Sequence, residues 1–189
     1  MRLTRKEEKE LVLRAKQGDS EAMTVIYKEF EQEILRAAFG ITKNPDDAQD
    51  IAAEAFMTFF QTIDRFNTDY PIRPWLHRIM HNQANSMFRK KNRMITGGDY
   101  FDNYASENSS QTDENLFDEE EISLLKKAMN MLSEDEKKML SLFYMEDFTI
   151  ADLAITFCIP EGTVKSRLFN SRKKLAKKVQ SCKKGGHVA

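Results

Sequence analysis

The chain has 189 residues, 41% of them hydrophobic and 31% charged, with a net charge of −1 at pH 7. Its first residues, MRLTRKEEKE, do not have the apolar core of a signal peptide, and no apolar run approaches the roughly 20 residues that cross a bilayer, so no membrane insertion is expected. Its two Cys residues lie 24 positions apart and match neither a disulfide framework nor a zinc site, so we expect a cytoplasmic protein in a reducing compartment.

The charges are distributed unevenly along the chain. Residues 1–95 carry 16 basic and 14 acidic groups (+2), residues 96–121 carry nine acidic and no basic groups (−9), and residues 122–189 carry 13 basic and seven acidic groups (+6). The acidic segment also contains a Gly pair and several Ser and Asn residues without a helical period. This pattern predicts two modules joined by a flexible acidic linker.

Long periodic segments with only seven Gly and four Pro residues favour an all-α fold. Four helices are predicted before the linker. Thr4 and Glu7 have the spacing of a capping box at the start of the first helix. Ser20 is the expected N-cap of the second helix, in which apolar residues recur every three or four positions through Phe39.

The third and fourth helices begin at prolines. Asn44 followed by Pro45 is typical of an N-cap and a first helical position, and we expect this helix to run to about Phe66. Pro71 marks the beginning of the next helix, which is predicted to continue to about Arg93.

Four further helices are predicted after the linker. The second of these begins at a capping box formed by Ser133 and Glu136, and the third at a box formed by Thr149 and Asp152. Pro160 begins the last helix after a tight turn at residues 158–159. The predicted spans are 122–132, 133–144, 150–157 and 160–181.

The last helix has two contrasting faces at 100° per residue. Its apolar stripe, which is expected to pack on the preceding helices, consists of Val164, Leu168, Leu175 and Val179. The opposite face, flanked by Arg167 and Lys174, carries Thr163, Ser166, Asn170, Lys173 and Lys177. Small hydrogen-bonding groups lie near the helix N-terminus and basic groups follow.

This order of side chains suits a helix in the major groove of DNA. Ser, Thr, Asn and Arg in the first turns can contact base edges, and later Lys residues can neutralise phosphates. A short helix, a tight turn and this helix form a helix-turn-helix arrangement. A basic solvated face on an ordinary bundle helix is the alternative interpretation.

Residues 132–175 resemble the fourth domain of bacterial sigma factors. Residues 160–167, PEGTVKSR, match the pattern P-x-G-T-V-K-S-R at the start of the helix that recognises the −35 promoter element. The family usually has Gly where Cys158 stands, so we expect a buried turn residue and a slightly different turn. The resemblance implies −35 DNA contacts by Gly162, Thr163, Lys165, Ser166, Arg167, Asn170, Lys173, Lys174 and Lys177.

Residues 46–67 resemble a helix of the second sigma domain, with the pattern D-A-x-D-x-x-Q-E-x-F, that binds a coiled coil of core RNA polymerase. Ala53 stands in the position of the usual Gln. The resemblance implies a polymerase-binding role for Asp47, Asp50, Ile51, Glu54 and Phe56. A solvated acidic face is the alternative.

Residues 73–93 contain six basic residues, no acidic residue and the only Trp of the chain, Trp75. Basic and aromatic side chains together suit single-stranded DNA, although a lone Trp is more often part of a core. The segment resembles the F-R-x-W-L-x-R-I-A-x-N helix of the second sigma domain, which melts and holds the −10 element. The resemblance also implies that the loop 67–70 captures a flipped base. The implied DNA-binding residues are Asn67, Arg73, Trp75, Arg78, His81, Asn82, Arg89 and Lys90.

Taken together, the two matches resemble a minimal extracytoplasmic-function sigma factor. The expected architecture is all-α: domain two at 1–95, a linker at 96–121, a helix-turn-helix domain four at 122–181 and a tail at 182–189. The implied function is promoter recognition and melting on behalf of core RNA polymerase, with promoter DNA and an anti-sigma factor as further partners. We expect no catalytic activity, no cofactor and no metal site, since His77 and His81 lack the Glu of an H-E-x-x-H motif.

Two rival functions remain on the sequence alone. A helix-turn-helix regulator that acts without polymerase would explain residues 122–181 but leaves residues 46–93 without a role. A nucleic-acid enzyme using the linker acids as metal ligands would lack a fixed second shell, a nucleophile–base set and a phosphate-binding Gly loop.

Overall fold

The computed structural model describes residues 3–96 and 119–185, with side chains described for residues 3–91 and 122–182. Every regular element in these ranges is a helix. The described residues form two compact units, unit 1 within residues 1–101 and unit 2 within residues 102–189. The all-α fold with two small helical domains is therefore confirmed. Residues 97–118 of the predicted linker lie outside the described residues, and the domain boundaries at 95, 121 and 181 stay predictions.

Unit 1 begins with a capped helix, as predicted. The Thr4 side chain accepts from the Glu7 backbone N–H, and the Glu7 carboxylate accepts from that of Thr4. The prediction that Ser20 caps the second helix is wrong. Asp19 Oδ1 accepts from two backbone N–H groups at 2.9 and 3.1 Å, and Ser20 is the first helical residue. The elements are α1 (Arg5–Lys16), α2 (Ser20–Thr42), α3 (Pro45–Gln61), a 3₁₀ helix (Ile63–Arg65) and α4 (Ile72–Thr96).

Helix α3 begins as predicted and ends earlier than predicted. The Asn44 side chain caps it, and Pro45 occupies its first turn. It ends at Gln61 rather than near Phe66, because the backbone at Thr62 leaves the helical conformation with ψ at 10°. The short 3₁₀ helix that follows brings Phe66 into the core, where the residue is 2% exposed.

The core of unit 1 lies around α2, which packs against α1, α3 and α4. Phe59 is fully buried, with its ring centroid 5.4 Å from Phe60 and 5.7 Å from Phe66. Burial of such a side chain stabilises a fold by about 1.5–3 kcal/mol. Helix α3 turns an apolar stripe toward this core: Ile51, Ala55, Phe56 and Phe59 are all buried, and Ile63 follows in the 3₁₀ helix.

Unit 2 consists of α5 (Glu119–Asn130), α6 (Glu134–Tyr144), α7 (Ile150–Phe157) and α8 (Glu161–Gly185). Both predicted capping boxes are present, at Ser133 and at Thr149. Helix α8 packs against the other three helices. Its Val164 is fully buried, as is Leu153 of α7. These contacts fix one face of α8 and leave the opposite face to the surface.

Candidate nucleic-acid interface

The turn between α7 and α8 is left-handed. Cys158 has φ at 53° and ψ at 44°, the conformation for which Gly is usually chosen. The Ile159 N–H donates to the Ala154 carbonyl at 3.1 Å, and the Cys158 N–H donates to the Ile155 carbonyl. These two bonds satisfy the C-terminal carbonyls of α7 and require the left-handed residue. The expectation of a buried Cys158 is wrong, because its side chain is exposed. The expectation that this turn differs slightly from the family's turn stays a prediction.

The buried face of α8 follows the predicted stripe. Val164 is 0% and Leu168 is 5% exposed, and Leu175 and Val179 are half-buried. Ser171, which the apolar pattern did not predict, completes the stripe at 2% exposure. The contact with α5, α6 and α7 therefore fixes the rotation of α8 about its own axis.

The outward face of α8 carries the groups that the sequence assigned to DNA. Ser166, Asn170, Lys173 and Lys177 are exposed and share one face through spacings of four, three and four residues. The Ser166 hydroxyl donates to the Thr163 carbonyl at 3.0 Å, which orients it near the start of the helix. Gly162, Lys165 and Arg167 are also exposed, and Thr163 is half-buried.

Lys174 differs from the other predicted cations of α8. Its Nζ lies 2.9 and 3.1 Å from the two carboxylate oxygens of Glu136. Partial burial favours the neutral form of Glu136, but its bonds to Lys174 and Ser133 lower its pKa below the usual value. The charge of Lys174 is therefore partly compensated within unit 2.

The exposed side of α4 forms a polar and aromatic stripe. Trp75, Arg78, Asn82 and Arg89 share one face through spacings of three, four and seven residues. The Arg78 guanidinium lies 4.8 Å from the centroid of the Trp75 ring, a cation–π contact. Trp75 itself is half-buried, with its ring 5.7 Å from that of Phe66. Lys90 is exposed near the end of the described side chains of α4.

A second face of α4 is turned toward α2. Arg73 Nε donates to Glu33 Oε1 at 2.6 Å, and His77 Nε2 lies 2.7 Å from the same oxygen. Burial raises the pKa of Glu33, but the bonds and charges of His77 and Arg73 outweigh it and lower that pKa overall. His81 follows His77 on this face, with the rings 6.2 Å apart. The predicted −10 residues therefore divide, with Arg73 and His81 away from the exposed stripe.

The loop before α4 has its own internal hydrogen bonds. The Asn67 Oδ1 accepts from the Asp69 N–H at 2.9 Å, and the Asn67 carbonyl accepts from the Tyr70 N–H at 3.1 Å. This is an Asx turn, in which the side-chain oxygen of Asn67 is the acceptor. Tyr70, two residues before the start of α4, is 49% exposed. The sequence analysis did not select it.

The predicted polymerase residues of α3 fall into three groups. Asp50 and Glu54 are exposed. Asp47 is partly covered and its carboxylate lies 2.6 Å from Lys91 Nζ at the end of the described side chains of α4. Ile51 and Phe56 are 3% exposed, so they pack the core of unit 1 and are not at its surface.

Several residues that organise this surface were missed by the sequence analysis. Glu33, Glu8 and Lys91 contact partners that lie 40 to 64 positions away. Helical spacing carries no signal at such separations. No cluster of three or more metal-ligating side chains occurs within residues 3–96 and 119–185. The helices of the same ranges include none long and apolar enough to cross a membrane.

The comparisons with known families match both units. The sigma-70 region 2 profile matches residues 26–94, and the sigma-70 region 4 profile matches residues 122–175. Together they cover 69 and 54 residues, 123 of 189. The first match includes the residues that the regulator hypothesis left without a role.

Two relatives are similar in sequence to this chain over nearly its full length. The RNA polymerase sigma-H factor of Pseudomonas aeruginosa is 26% identical over 94% of this chain and 96% of its own. The ECF RNA polymerase sigma-E factor of Escherichia coli is 25% identical over 90% of this chain and 93% of its own.

Solved structures give the same fold. The sigma factor RpoE of Bartonella quintana, solved with the anti-sigma factor NepR, is 26% identical, with a TM-score of 0.56 over 81% of this chain and 98% of that chain. CnrH, solved with the cytosolic domain of CnrY, has a TM-score of 0.64 at 18% identity, over 93% of this chain and 98% of that chain.

Two helical units, one with an exposed helix-turn-helix and one with a basic–aromatic helix, each match a sigma-70 region in the family's order. The chain therefore belongs to the sigma-70 family, as an alternative sigma factor of the extracytoplasmic-function type that acts in transcription initiation.

Proposed function

We propose that unit 2 recognises the −35 promoter element and unit 1 the −10 element, each through the exposed face described above. The observation that carries this proposal is the exposed stripe of α4. A regulator that only binds duplex DNA needs the helix-turn-helix of unit 2, and it has no use for a second basic helix that displays an aromatic ring.

In unit 2, the N-terminal turns of α8 contact base edges. Ser166, Arg167 and Asn170 are exposed donors of the kind that recognise bases in the major groove. Lys173 and Lys177 follow on the same face and are placed for phosphates. Lys174, already bound to Glu136, contributes less to the charge presented to DNA.

In unit 1, the α4 stripe binds single-stranded DNA of the −10 element. Arg78 and Arg89 supply backbone cations, and Trp75 supplies the aromatic surface against which an unstacked base packs. Asn82, exposed between them, supplies a hydrogen-bonding amide. Arg73 has an indirect role in this proposal: it binds Glu33 and so holds α4 to α2, and its own side chain is only 17% exposed.

The partner surface for core RNA polymerase lies on α3. Asp50 and Glu54 are its exposed acidic groups, and Asp47 extends it while bonded to Lys91. The proposed surface excludes Ile51 and Phe56, because both are buried. Polymerase makes the phosphodiester bonds, and this chain has no catalytic role in our proposal.

We further propose that the protein acts in the cytoplasm and is held inactive by an anti-sigma factor. The RpoE structure of Bartonella quintana contains such a partner, and that chain shares the fold and 26% of its residues with this one. We also propose that the segment 96–121, whose charge of −9 resembles that of a nucleic acid, occupies a basic channel of polymerase that later carries RNA.

The test is in-vitro transcription with cognate core polymerase on a library of genomic promoter fragments, with and without this protein. Protein-dependent start sites that share two upstream elements are the expected result. Trp75→Phe and Trp75→Ala variants are then compared with Phe39→Ala, which removes an exposed aromatic ring elsewhere in unit 1.

Trp75→Ala is expected to reduce permanganate reactivity at the −10 region while binding to duplex −35 DNA is retained. Full reactivity in a folded Trp75→Ala protein would contradict the role of Trp75. Specific duplex binding together with no start sites on any fragment would contradict the proposed promoter melting and favour the regulator.

A further inference from the structure

Helix α1 lies before the residues that match sigma-70 region 2, which begin at residue 26, yet it contacts the loop 67–70. Glu8 of α1 is 7% exposed, and its Oε1 accepts from the backbone N–H of Ile72 at the start of α4. Its Oε2 accepts from Arg5 Nη1 at 3.1 Å, and Arg5 Nη2 donates to the Thr68 carbonyl at 2.6 Å. The Arg5–Glu8 pair therefore connects the middle of the loop to the first residue of α4.

A second contact fixes the other end of the same segment. Lys16 Nζ donates to the carbonyls of Asp64 and Phe66, at 3.1 and 2.8 Å. Phe66 in turn packs edge-on against Trp75, with the ring centroids 5.7 Å apart. The carbonyls held by Lys16 thus belong to the residues that support the aromatic ring of the α4 stripe.

The other contacts of the loop within residues 3–96 are local or exposed. Within the loop, the backbone N–H groups of Asp69 and Tyr70 donate to Asn67. The exposed contact of Lys9 with the Asp69 side chain spans 3.2 Å between groups that are 49% and 74% exposed, so it contributes little. By contrast, Glu8 is a buried carboxylate whose bonds to Arg5 and the Ile72 N–H satisfy it.

We propose that α1 is a positioning element for capture of the single-stranded −10 element, with Arg5, Glu8 and Lys16 as its positioning residues. This inference rests on the proposed −10 function of unit 1. A loop that is already fixed loses less conformational entropy when DNA binds, so its affinity for DNA is higher. Disconnecting the loop from α1 lowers that affinity without removing any group that touches DNA.

The variants are Arg5→Ala, Glu8→Gln and Lys16→Met. Lys6→Ala and Glu10→Gln are the matched controls, since they make comparable charge changes at exposed positions of the same helix. The probe is a fork-junction promoter DNA with a duplex −35 element and a single-stranded non-template −10 strand. Its affinity for holoenzyme is compared with that of a duplex that ends upstream of the −10 element.

Each of the three variants is expected to weaken fork-junction binding roughly five- to twentyfold, the loss of one or two hydrogen bonds. Duplex binding and holoenzyme assembly are expected to stay within about twofold of wild type. Because Arg5 and Glu8 act as one pair, the double variant is expected to lose little more than the stronger single variant. Amide hydrogen exchange at residues 67–70 is expected to accelerate in the variants and not in the controls.

Fork-junction affinities that match those of the controls, with unchanged exchange in the loop, would overturn the inference. Glu8 is buried, so if Glu8→Gln fails to fold, the exposed Arg5 and the half-buried Lys16 still decide the question. If wild-type holoenzyme shows no preference for the fork over the duplex, the proposed −10 function is wrong. The exchange measurement then decides separately whether α1 positions the loop.

Discussion

Replacement of Glu33 by Ala is expected to destabilise unit 1 by about 3–5 kcal/mol. The Glu33 side chain is 16% exposed, and its Oε1 lies 2.6 Å from Arg73 Nε and 2.7 Å from His77 Nε2. A hydrogen bond to a charged group contributes about 1.5–3 kcal/mol, and the Ala variant removes two of them. Glu33→Gln keeps an acceptor and loses the charge, so a smaller loss of about 1–2 kcal/mol is expected.

The effect of Glu33 also depends on pH, with a defined sign. The pKa of Glu33 is lowered in the fold despite its burial, because His77 and Arg73 stabilise the carboxylate. A lowered pKa contributes stability above the pKa of the unfolded chain, near 4.3 for Glu, and that contribution is lost as pH falls through the lower folded value. The stability difference between wild type and Glu33→Gln is therefore full near pH 6 and shrinks below roughly pH 4.

Urea unfolding followed by Trp fluorescence measures this difference in unit 1 alone, because Trp75 is the only Trp of the chain. The control is Glu21→Ala on the same helix, whose side chain is 84% exposed. If Glu33→Ala lowers the free energy of unfolding by less than about 1 kcal/mol more than Glu21→Ala, the reasoning from burial and pairing is refuted.

Three further predictions concern unit 2. Arg167→Ala is expected to cost about 1–3 kcal/mol on the cognate −35 sequence and much less on unrelated DNA, measured by fluorescence anisotropy; equal losses on all sequences would contradict base recognition. Replacing both Lys173 and Lys177 with Gln is expected to reduce the slope of log affinity against log salt by about 1.8, and an unchanged slope would mean that neither Lys contacts phosphate. Cys158→Gly is expected to raise the stability of unit 2 by up to about 1 kcal/mol, since Gly adopts the left-handed backbone of this turn without strain; a lower urea midpoint by circular dichroism would contradict this.

The exposed and buried faces of α8 could be predicted because a helix repeats its geometry every few residues. Val164 and Leu168 were expected inside and are buried, and Ser166 and Asn170 were expected outside and are exposed. The burial of Ser171 was not predicted, because a Ser gives no apolar signal. Its position nevertheless lies between buried neighbours on the same face of α8.

The division of the −10 candidates could not be predicted from the family pattern. Arg73 and Arg78 both belong to the basic helix, but Arg73 is bonded to Glu33 and Arg78 lies over Trp75. Choosing between them requires the position of α2, 40 residues earlier in the chain. Ile51 is a similar case: its place in the motif suggested a contact residue, and the packing of α3 buries it.

The sequence by itself determined the local features of this protein. Helix starts at Thr4, Asn44, Ser133 and Thr149 follow from hydrogen bonds that span two or three residues, and such short-range patterns are encoded directly. The matches to sigma-70 regions 2 and 4 also depend on the sequence alone. Tertiary structure alone decided the contacts of Glu8 with Ile72 and of Glu33 with His77. These join residues 64 and 44 positions apart, and only the packing of α1 on α2, and of α2 on α4, brings those atoms within bonding distance.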